Sequence, residues 1–214
     1  MSDFAVIFDM DGVIVDTNPH HKIAIQQFCA SHGIQLNELT FQHKIYGRTN
    51  RDWIINVFGE ITDEQRDTYA YEKEALFRKM YTPVPVTGLI DFLDMLVANK
   101  IPRAIATSAP PENVEFIVNK IGIRKYFDII LDERNVTNGK PNPEIYLKTA
   151  KALGLPNSQC IVIEDSLSGI TAARKAGSKV IGITTTHTPA EMAETNLVIN
   201  DFRDLTLPVL TGLI

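Results

Sequence analysis

Short runs of apolar residues recur along the chain, each followed by a helical pattern of apolar positions. The runs lie at 4–8, 103–107, 128–131, 160–164, 179–183 and, more weakly, 197–199. They are continuous rather than alternating, which is typical of parallel strands covered on both faces. Strands and helices in regular alternation predict a doubly wound α/β fold.

Two of the predicted helices have readable ends. One runs from Asn142-Pro143 to Gly154, and another runs from Ser166 to Gly177. A polar or proline start and a glycine end are typical of helices, so both segments are predicted with defined boundaries.

The segment between the first two runs breaks the alternation. Residues 15–84 are predicted to be helical without a convincing strand, and Thr62-x-x-Gln65 is a capping box that begins a long helix. We predict an inserted helical domain at 15–84 within a core formed by 1–14 and 85–214. The alternative is a large crossover packed on the sheet. Since ligands bind outside the carboxyl ends of parallel strands, an insert here would cover the site as a lid.

Composition and charge narrow the classes of function. The chain has 214 residues, 44% of them hydrophobic, which suits a globular protein with a sizeable core. Lysine and arginine total 21 against 26 aspartates and glutamates, so the net charge is −5. This argues against nucleic-acid and membrane partners, and no apolar run is long enough for a membrane helix. Cys29 and Cys160 lie in apolar patterns and are expected to be buried thiols of a cytoplasmic protein.

Side chains with catalytic chemistry follow the predicted strands. They are Asp9 and Asp11 after the first run, Thr107 and Ser108 at the second, Lys140 beyond the third, and Glu164 and Asp165 at the fourth. Buried carboxylates are costly unless they bind metal or are otherwise satisfied, and a hydroxyl before a helix can hold an anion. Taken alone, the hydroxyl pair could be a helix cap and the lysine a surface residue. Because the carboxyl ends of parallel strands share one edge, we expect these side chains to meet.

The order of these motifs resembles the haloacid dehalogenase-like superfamily of phosphotransferases. Its four motifs match Asp9-Met10-Asp11-Gly12, Thr107, Lys140 in the run Gly-Lys-Pro-Asn-Pro-Glu, and Glu164-Asp165, and the match extends over 9–177. The resemblance implies a Rossmann-like parallel sheet core with an inserted, mobile helical cap domain. Within this superfamily, the chain most resembles the β-phosphoglucomutase-like branch of phosphatases and mutases.

The resemblance implies a catalytic role for each motif. Asp9 would be the nucleophile that carries the phosphoryl group. Asp11 would protonate the leaving oxygen and then take a proton from the attacking water or alcohol. Lys140, Thr107 and Ser108 would hold the transferring oxygens.

A metal ion is also implied, because carboxylates close to a phosphate dianion repel it. Mg²⁺ prefers a few carboxylates together with waters and substrate oxygens. By resemblance it would be bound by Asp9, by the backbone carbonyl of Asp11 and by Asp165. Glu164 would bind directly or through water.

The insert is expected to select the substrate. By resemblance, the candidate substrate-binding residues there are His21, Gly47, Arg48, Thr49 and Asn50. Mutases of this branch carry lysine and arginine where this chain has Tyr46 and Asn50, which favours a phosphatase acting on a small phosphorylated metabolite such as a sugar phosphate. A β-phosphoglucomutase-like isomerase is the alternative, and a phosphate-binding module without turnover is a remote third. A monomer is expected.

Overall fold

Six parallel strands form one sheet, at the places that the apolar runs predict. A computed structural model describes residues 3–45 and 49–214. The strands are β1 (Ala5–Phe8), β2 (Arg103–Ala106), β3 (Ile129–Leu131), β4 (Cys160–Glu164), β5 (Lys179–Ile183) and β6 (Leu197–Ile199). Their order is β3-β2-β1-β4-β5-β6, so the winding reverses between β1 and β4. The doubly wound α/β prediction is confirmed, and this reversal is where such sheets bind ligands.

The chain divides into two compact units. The helical unit, Thr17–Thr82, contains α1 (Asn18–Ser31), α2 (Glu38–Thr40), a π-helical turn (Phe41–Ile45), α3 (Asn50–Phe58) and α4 (Asp63–Met80). The core unit, Met1–Asp16 with Pro83–Ile214, contains the sheet and α5 (Leu89–Ala98), α6 (Pro111–Lys120), α7 (Glu144–Leu153), α8 (Leu167–Ala176) and α9 (Leu207–Thr211). Short 3-10 turns lie at Arg124–Tyr126, Glu133–Asn135, Asn157–Gln159 and Phe202–Asp204. Within the described ranges, no helix combines the length and apolar character needed to cross a membrane.

Each face of the sheet has its own apolar core, because successive residues of a strand point to opposite faces. Ile7 belongs to the core that α7 and α8 cover. Phe8 belongs to the opposite core, where its ring centroid lies 6.0 Å from that of Phe92 in α5, 5.6 Å from Phe127 and 6.1 Å from Phe202. The two cores bury β1 completely and thereby fix the residues that follow it.

Helix α5 is an element that the sequence analysis did not identify. Leu89, Phe92, Leu93 and Leu96 are buried and share one helix face. Their spacing is visible in the sequence, in the stretch between the predicted helical insert and the second strand.

The predicted ends of α7 and α8 are largely confirmed. Both helices end immediately before a glycine, Gly154 and Gly177 respectively. Helix α7 begins at Glu144, two residues after Asn142, whose side-chain oxygen accepts a hydrogen bond from the Glu144 backbone N–H at 3.0 Å.

The helical unit has a separate apolar core. Phe28 of α1 and Trp53 of α3 meet there, with ring centroids 6.3 Å apart. Helix α4 begins with the predicted capping box, in which Thr62 and Gln65 each bond the other's backbone N–H. The hydrophobic pattern therefore organises this segment into packed helices rather than an extended connection.

Both cysteines are free and buried, as predicted. Cys29 lies in the helical unit and Cys160 at the start of β4. Burial raises the pKa of each thiol to about 11, so both stay protonated and unreactive near neutral pH.

Candidate active site

The register of the sheet brings the first and fourth motifs to the same level. Phe8, the last residue of β1, pairs with Ile105 of β2 and with Ile163 of β4. Asp9 follows Phe8, and its backbone N–H donates to the Ile163 carbonyl oxygen at 3.1 Å. Glu164 follows Ile163, so the two acids lie side by side at the carboxyl edge of the sheet.

Lys140 reaches this edge from the loop before α7. Its Nζ lies 2.5 Å from Oδ1 of Asp9 and 2.6 Å from Oε1 of Glu164, and it donates to the Ala106 carbonyl oxygen at 3.3 Å. Only 7% of the Lys140 side chain is exposed. Burial alone would lower the pKa of Lys140, but the two carboxylates outweigh it and hold the pKa well above its usual value. The ammonium is therefore charged.

Glu164 is hydrogen-bonded on both carboxylate oxygens. Oε1 accepts from Lys140 and from the Tyr146 hydroxyl, each at 2.6 Å. Oε2 accepts from the Asp165 backbone N–H at 3.1 Å, and from the Ser166 backbone N–H at 3.1 Å and hydroxyl at 3.0 Å. Burial opposes ionisation, but Lys140 and these donors lower the pKa of Glu164. Since a carboxylate offers about four acceptor positions, protein groups already occupy those of Glu164.

Two glycines make room for the acid pair. A methyl group on Gly169 of α8 would lie 1.7 Å from Oε1 of Glu164, and one on Gly12 would lie 2.0 Å from Oδ2 of Asp165. Gly12 also has a φ of 77°, which other residues rarely adopt. The turn after β1 therefore needs glycine for its backbone and for the close approach of Asp165.

Two threonines after β5 complete the surroundings of Asp165, and the sequence analysis missed both. The Thr186 hydroxyl donates to Oδ2 of Asp165, and the Thr185 hydroxyl donates to the Gly12 carbonyl oxygen at 2.5 Å. Both residues follow a buried strand, so the rule that selected the acids could also have selected them.

Asp11, Thr107 and Ser108 lie at the same strand ends. Asp11 is half-buried in the turn after β1. Thr107 is fully buried after β2, and its hydroxyl oxygen accepts the Ala109 backbone N–H at 3.1 Å, so its O–H can donate to a ligand. Ser108 is exposed beside it. The structure therefore brings the core-unit candidates to one edge of the sheet.

The cluster holds more negative charge than Lys140 can neutralise. Asp9, Glu164 and Asp165 offer carboxylate oxygens that all lie within 4.8 Å of one another. Burial raises the pKa of Asp9 well above its usual value in spite of Lys140, and burial together with Glu164 raises the pKa of Asp165 to about 7. Hard oxygen ligands with unneutralised charge fit a divalent cation, which would keep both aspartates ionised.

Tyr146 is a further residue of the site that the sequence analysis missed. It lies in α7, is fully buried and contacts both Lys140 and Glu164. A tyrosine in the apolar pattern of a helix looks like an ordinary core residue, so the sequence gives no signal of these contacts.

His21 of the helical unit lies among buried charges. Its Nδ1 is 3.4 Å from Nζ of Lys73 and 3.9 Å from Oε2 of Glu74. Lys73 and Glu74 are also paired with each other. Although burial would raise the pKa of Glu74, Lys73 and His21 lower it to about 2. Gly47 and Arg48, two other candidates, lie outside the described residues.

Thr49 and Asn50 hold the start of α3. The Thr49 hydroxyl accepts the Asp52 backbone N–H at 3.3 Å as a helix cap. The Asn50 side chain donates to Oε1 of Glu74 at 2.7 Å and accepts from Nε1 of Trp53 at 2.9 Å. Both side chains therefore have structural partners within the helical unit.

The fold and the acid–lysine cluster define a hydrolase of the haloacid dehalogenase-like type. A profile of the haloacid dehalogenase-like hydrolase family matches residues 6–183, so the chain belongs to that family, as its motifs predict. A phosphorylated carbohydrates phosphatase of Thermotoga maritima is 33% identical over 185 residues, which cover 84% of each chain. The crystal structure of a HAD hydrolase, family IA, variant 3, from Entamoeba histolytica is 35% identical, covers 98% of both chains and has a TM-score of 0.91. The crystal structure of a β-phosphoglucomutase from Clostridium difficile is 26% identical, covers 100% of this chain and 97% of its own, and has a TM-score of 0.85.

Replacing Gly169 with alanine should destabilise the protein by about 1–3 kcal/mol, because the methyl group would displace the Glu164 carboxylate. Alanine is about 1 kcal/mol more favourable than glycine within a helix. If helix propensity alone mattered, the substitution would therefore stabilise the protein. The control is Gly139→Ala, where the methyl group meets nothing within 4 Å. Urea unfolding followed by circular dichroism measures both, and a Gly169→Ala protein as stable as the wild type would contradict this packing.

Replacing Glu74 with glutamine should remove a pH-dependent part of the stability. The pKa of Glu74 is about 2 in the folded protein against an ordinary 4.5, so its ionised form stabilises the fold above pH 4.5 and this contribution is lost as the pH falls toward 2. The difference in unfolding free energy between wild type and Glu74→Gln should therefore shrink over that range. Exposed Glu72 provides the control Glu72→Gln, expected to change stability little at neutral pH. A difference that is constant with pH would rule out the stabilising role of Glu74.

Proposed function

We propose that the protein is a Mg²⁺-dependent phosphatase that hydrolyses a small phosphorylated metabolite, such as a sugar phosphate, through an aspartyl phosphate. The observation that carries this proposal is the Lys140 ammonium, which lies 2.5 Å from Asp9 and 2.6 Å from Glu164 beside the carboxylate of Asp165. Such a cluster can bind a phosphoryl group only when its excess negative charge is neutralised. The phosphatase named among the relatives supports the same reaction class.

The reaction would proceed in two displacements at phosphorus. In the first, a carboxylate oxygen of Asp9 forms a bond to phosphorus while the bond to the leaving oxygen breaks, and Asp11 gives that oxygen its proton. In the second, Asp11 takes a proton from water, whose oxygen bonds to phosphorus and displaces the Asp9 carboxylate. The products are the alcohol and inorganic phosphate, and both aspartates return to their starting states.

Three groups would hold the phosphoryl oxygens during both displacements. Lys140 supplies a fixed positive charge, and the buried Thr107 supplies its O–H. Ser108 follows directly and would supply its backbone N–H. Donors that are already oriented cost no reorganisation when charge develops in the transition state.

Mg²⁺ would be held by Asp9, by Asp165 and by the backbone carbonyl of Asp11. Glu164, whose acceptor positions are filled by protein donors, would add its negative charge beside the ion without binding it. When bound, the ion supplies positive charge that offsets the repulsion between the carboxylates and the substrate phosphate.

Residues 15–84 would serve as the cap that selects the substrate, with 1–14 and 85–214 as the catalytic core. His21, Gly47, Arg48, Thr49 and Asn50 remain the proposed substrate contacts. Each of the three described members of this group also has a structural contact within the helical unit. Thr49 caps α3, Asn50 is bonded to Glu74 and Trp53, and His21 lies beside Lys73 and Glu74. We further propose that the protein works as a monomer in the cytoplasm.

A β-phosphoglucomutase-like isomerase is the second candidate, favoured by the likeness to the Clostridium difficile enzyme. In that case an alcohol rather than water would attack the aspartyl phosphate, and water would have to be excluded. The bonded side chain of Asn50, at the position where mutases carry arginine, supports the phosphatase instead.

Phosphorus NMR distinguishes the candidates. The protein is incubated with Mg²⁺ and a panel of sugar phosphates, and separately with β-glucose 1-phosphate and a trace of glucose 1,6-bisphosphate. We expect free phosphate from at least one panel member, loss of turnover with EDTA, and recovery with added Mg²⁺. Glucose 6-phosphate without free phosphate would identify a mutase, and turnover that survives removal of metal would contradict the mechanism.

A further inference from the structure

Tyr146 connects the two partners of the central ion pair. Its hydroxyl donates to Oε1 of Glu164 at 2.6 Å, the oxygen that Lys140 also binds at 2.6 Å. Its side chain is fully buried in the core that α7 forms on the sheet. A buried hydroxyl is costly without a partner, and here the partner is the acid that holds the lysine.

The ring of Tyr146 also contacts the ammonium itself. Nζ of Lys140 lies 5.0 Å from the ring centroid, within the distance at which a cation is attracted to an aromatic face. One side chain therefore contacts Lys140 through its ring and Glu164 through its hydroxyl. The ring acts on the lysine directly, and the hydroxyl acts on it through Glu164. Lysine has a long, flexible side chain, so both contacts help to fix the position of its ammonium group.

Hydrogen bonds to both oxygens orient the Glu164 carboxylate. Asp165 and Ser166 fix Oε2 through backbone N–H groups and a hydroxyl. In the part of the chain that the structure describes, Lys140 and Tyr146 are the donors to Oε1. Without the Tyr146 hydroxyl, the position of Oε1 would depend on the lysine that it is meant to hold.

We propose that Tyr146 is a positioning residue, which orients Oε1 of Glu164 and thereby holds the Lys140 ammonium against Asp9. The inference rests on the proposed phosphatase function, in which that ammonium stabilises the transferring phosphoryl group. Tyr146 touches neither substrate nor reacting atoms in this role. Its effect is transmitted through Glu164 and Lys140.

The variant Tyr146→Phe tests the role, because it keeps the ring and removes only the O–H. We expect kcat to fall about tenfold with KM within about twofold, since a misplaced ammonium weakens the transition state more than substrate binding. A structural role alone would lower the melting temperature and leave kcat unchanged.

Tyr126→Phe is a matched control. Tyr126 is another buried tyrosine of the core unit, and its hydroxyl donates to Oδ1 of Asp94 at 2.6 Å. Removing it deletes a hydrogen bond of the same type and length away from the Lys140 cluster. Because Asp94 is exposed and water can replace the lost donor, we expect a smaller loss of stability than in Tyr146→Phe, with kcat unchanged.

A second readout does not depend on turnover. The ammonium signal of Lys140 in ¹H–¹⁵N NMR, assigned by its loss in Lys140→Met, should exchange faster with water in Tyr146→Phe than in the wild type or in Tyr126→Phe. An unchanged Lys140 signal, or a Tyr146→Phe kcat within about twofold of the wild type, would overturn the proposal. A wild type without phosphatase activity would instead contradict the proposed function, and the ammonium signal would still decide whether Tyr146 positions Lys140.

Discussion

Lys140 places one positive charge where the carboxylates of two neighbouring strands converge, and the geometry of the site depends on that contact. A buried ammonium is tolerated only when opposite charges and hydrogen bonds surround it, and Asp9, Glu164 and the Ala106 carbonyl provide them. The sheet makes this convergence possible because β1 lies between β2 and β4. Loss of the ammonium would leave several buried acids without a counter-charge, which in comparable pairs costs about 3–5 kcal/mol.

The two acids of the fourth motif differ in their surroundings. Glu164 is saturated by Lys140, Tyr146 and Ser166, so its charge is balanced by protein groups. Asp165 is bonded by Thr186 but remains beside other carboxylates, which with burial raises its pKa to about 7. We infer that the first acid holds the lysine and the second binds the cation. Adjacent acids thus acquire separate roles from the donors around them.

Much of the fold could be predicted from local pattern. Short-range signals in the sequence predict the six strands, the ends of α7 and α8, and the capping box of α4. The meeting of Asp9, Lys140 and Glu164 could also be predicted. In a parallel sheet the carboxyl ends of all strands lie at one edge, so residues that follow the strands are expected there. Helix α5 has an equally clear apolar face, although it lies in a stretch for which no element was predicted.

The remaining contacts depend on distances that no local pattern contains. Tyr146 contacts Glu164 only because the packing of α7 on the sheet places Tyr146 beside the end of β4. Asn50 and Glu74 meet because α3 packs on α4, although the sequence suggested a substrate contact for Asn50. The close approach of Gly169 to Glu164 likewise becomes visible only when α8 is placed. The sequence therefore identified which chemistry was present, while packing determined which side chain served which partner.

Trapping the phosphorylated residue tests most directly whether Asp9 carries the phosphoryl group. The Asp11→Asn variant is quenched rapidly during reaction with p-nitrophenyl phosphate, whose leaving group needs no proton, and is then reduced with borohydride and mapped by mass spectrometry. Without Asp11 to activate water, the aspartyl phosphate should accumulate, and borohydride should convert Asp9 to homoserine. Release of p-nitrophenolate with Asp9 unmodified, or homoserine at a different aspartate, would contradict the assignment of Asp9 as the nucleophile.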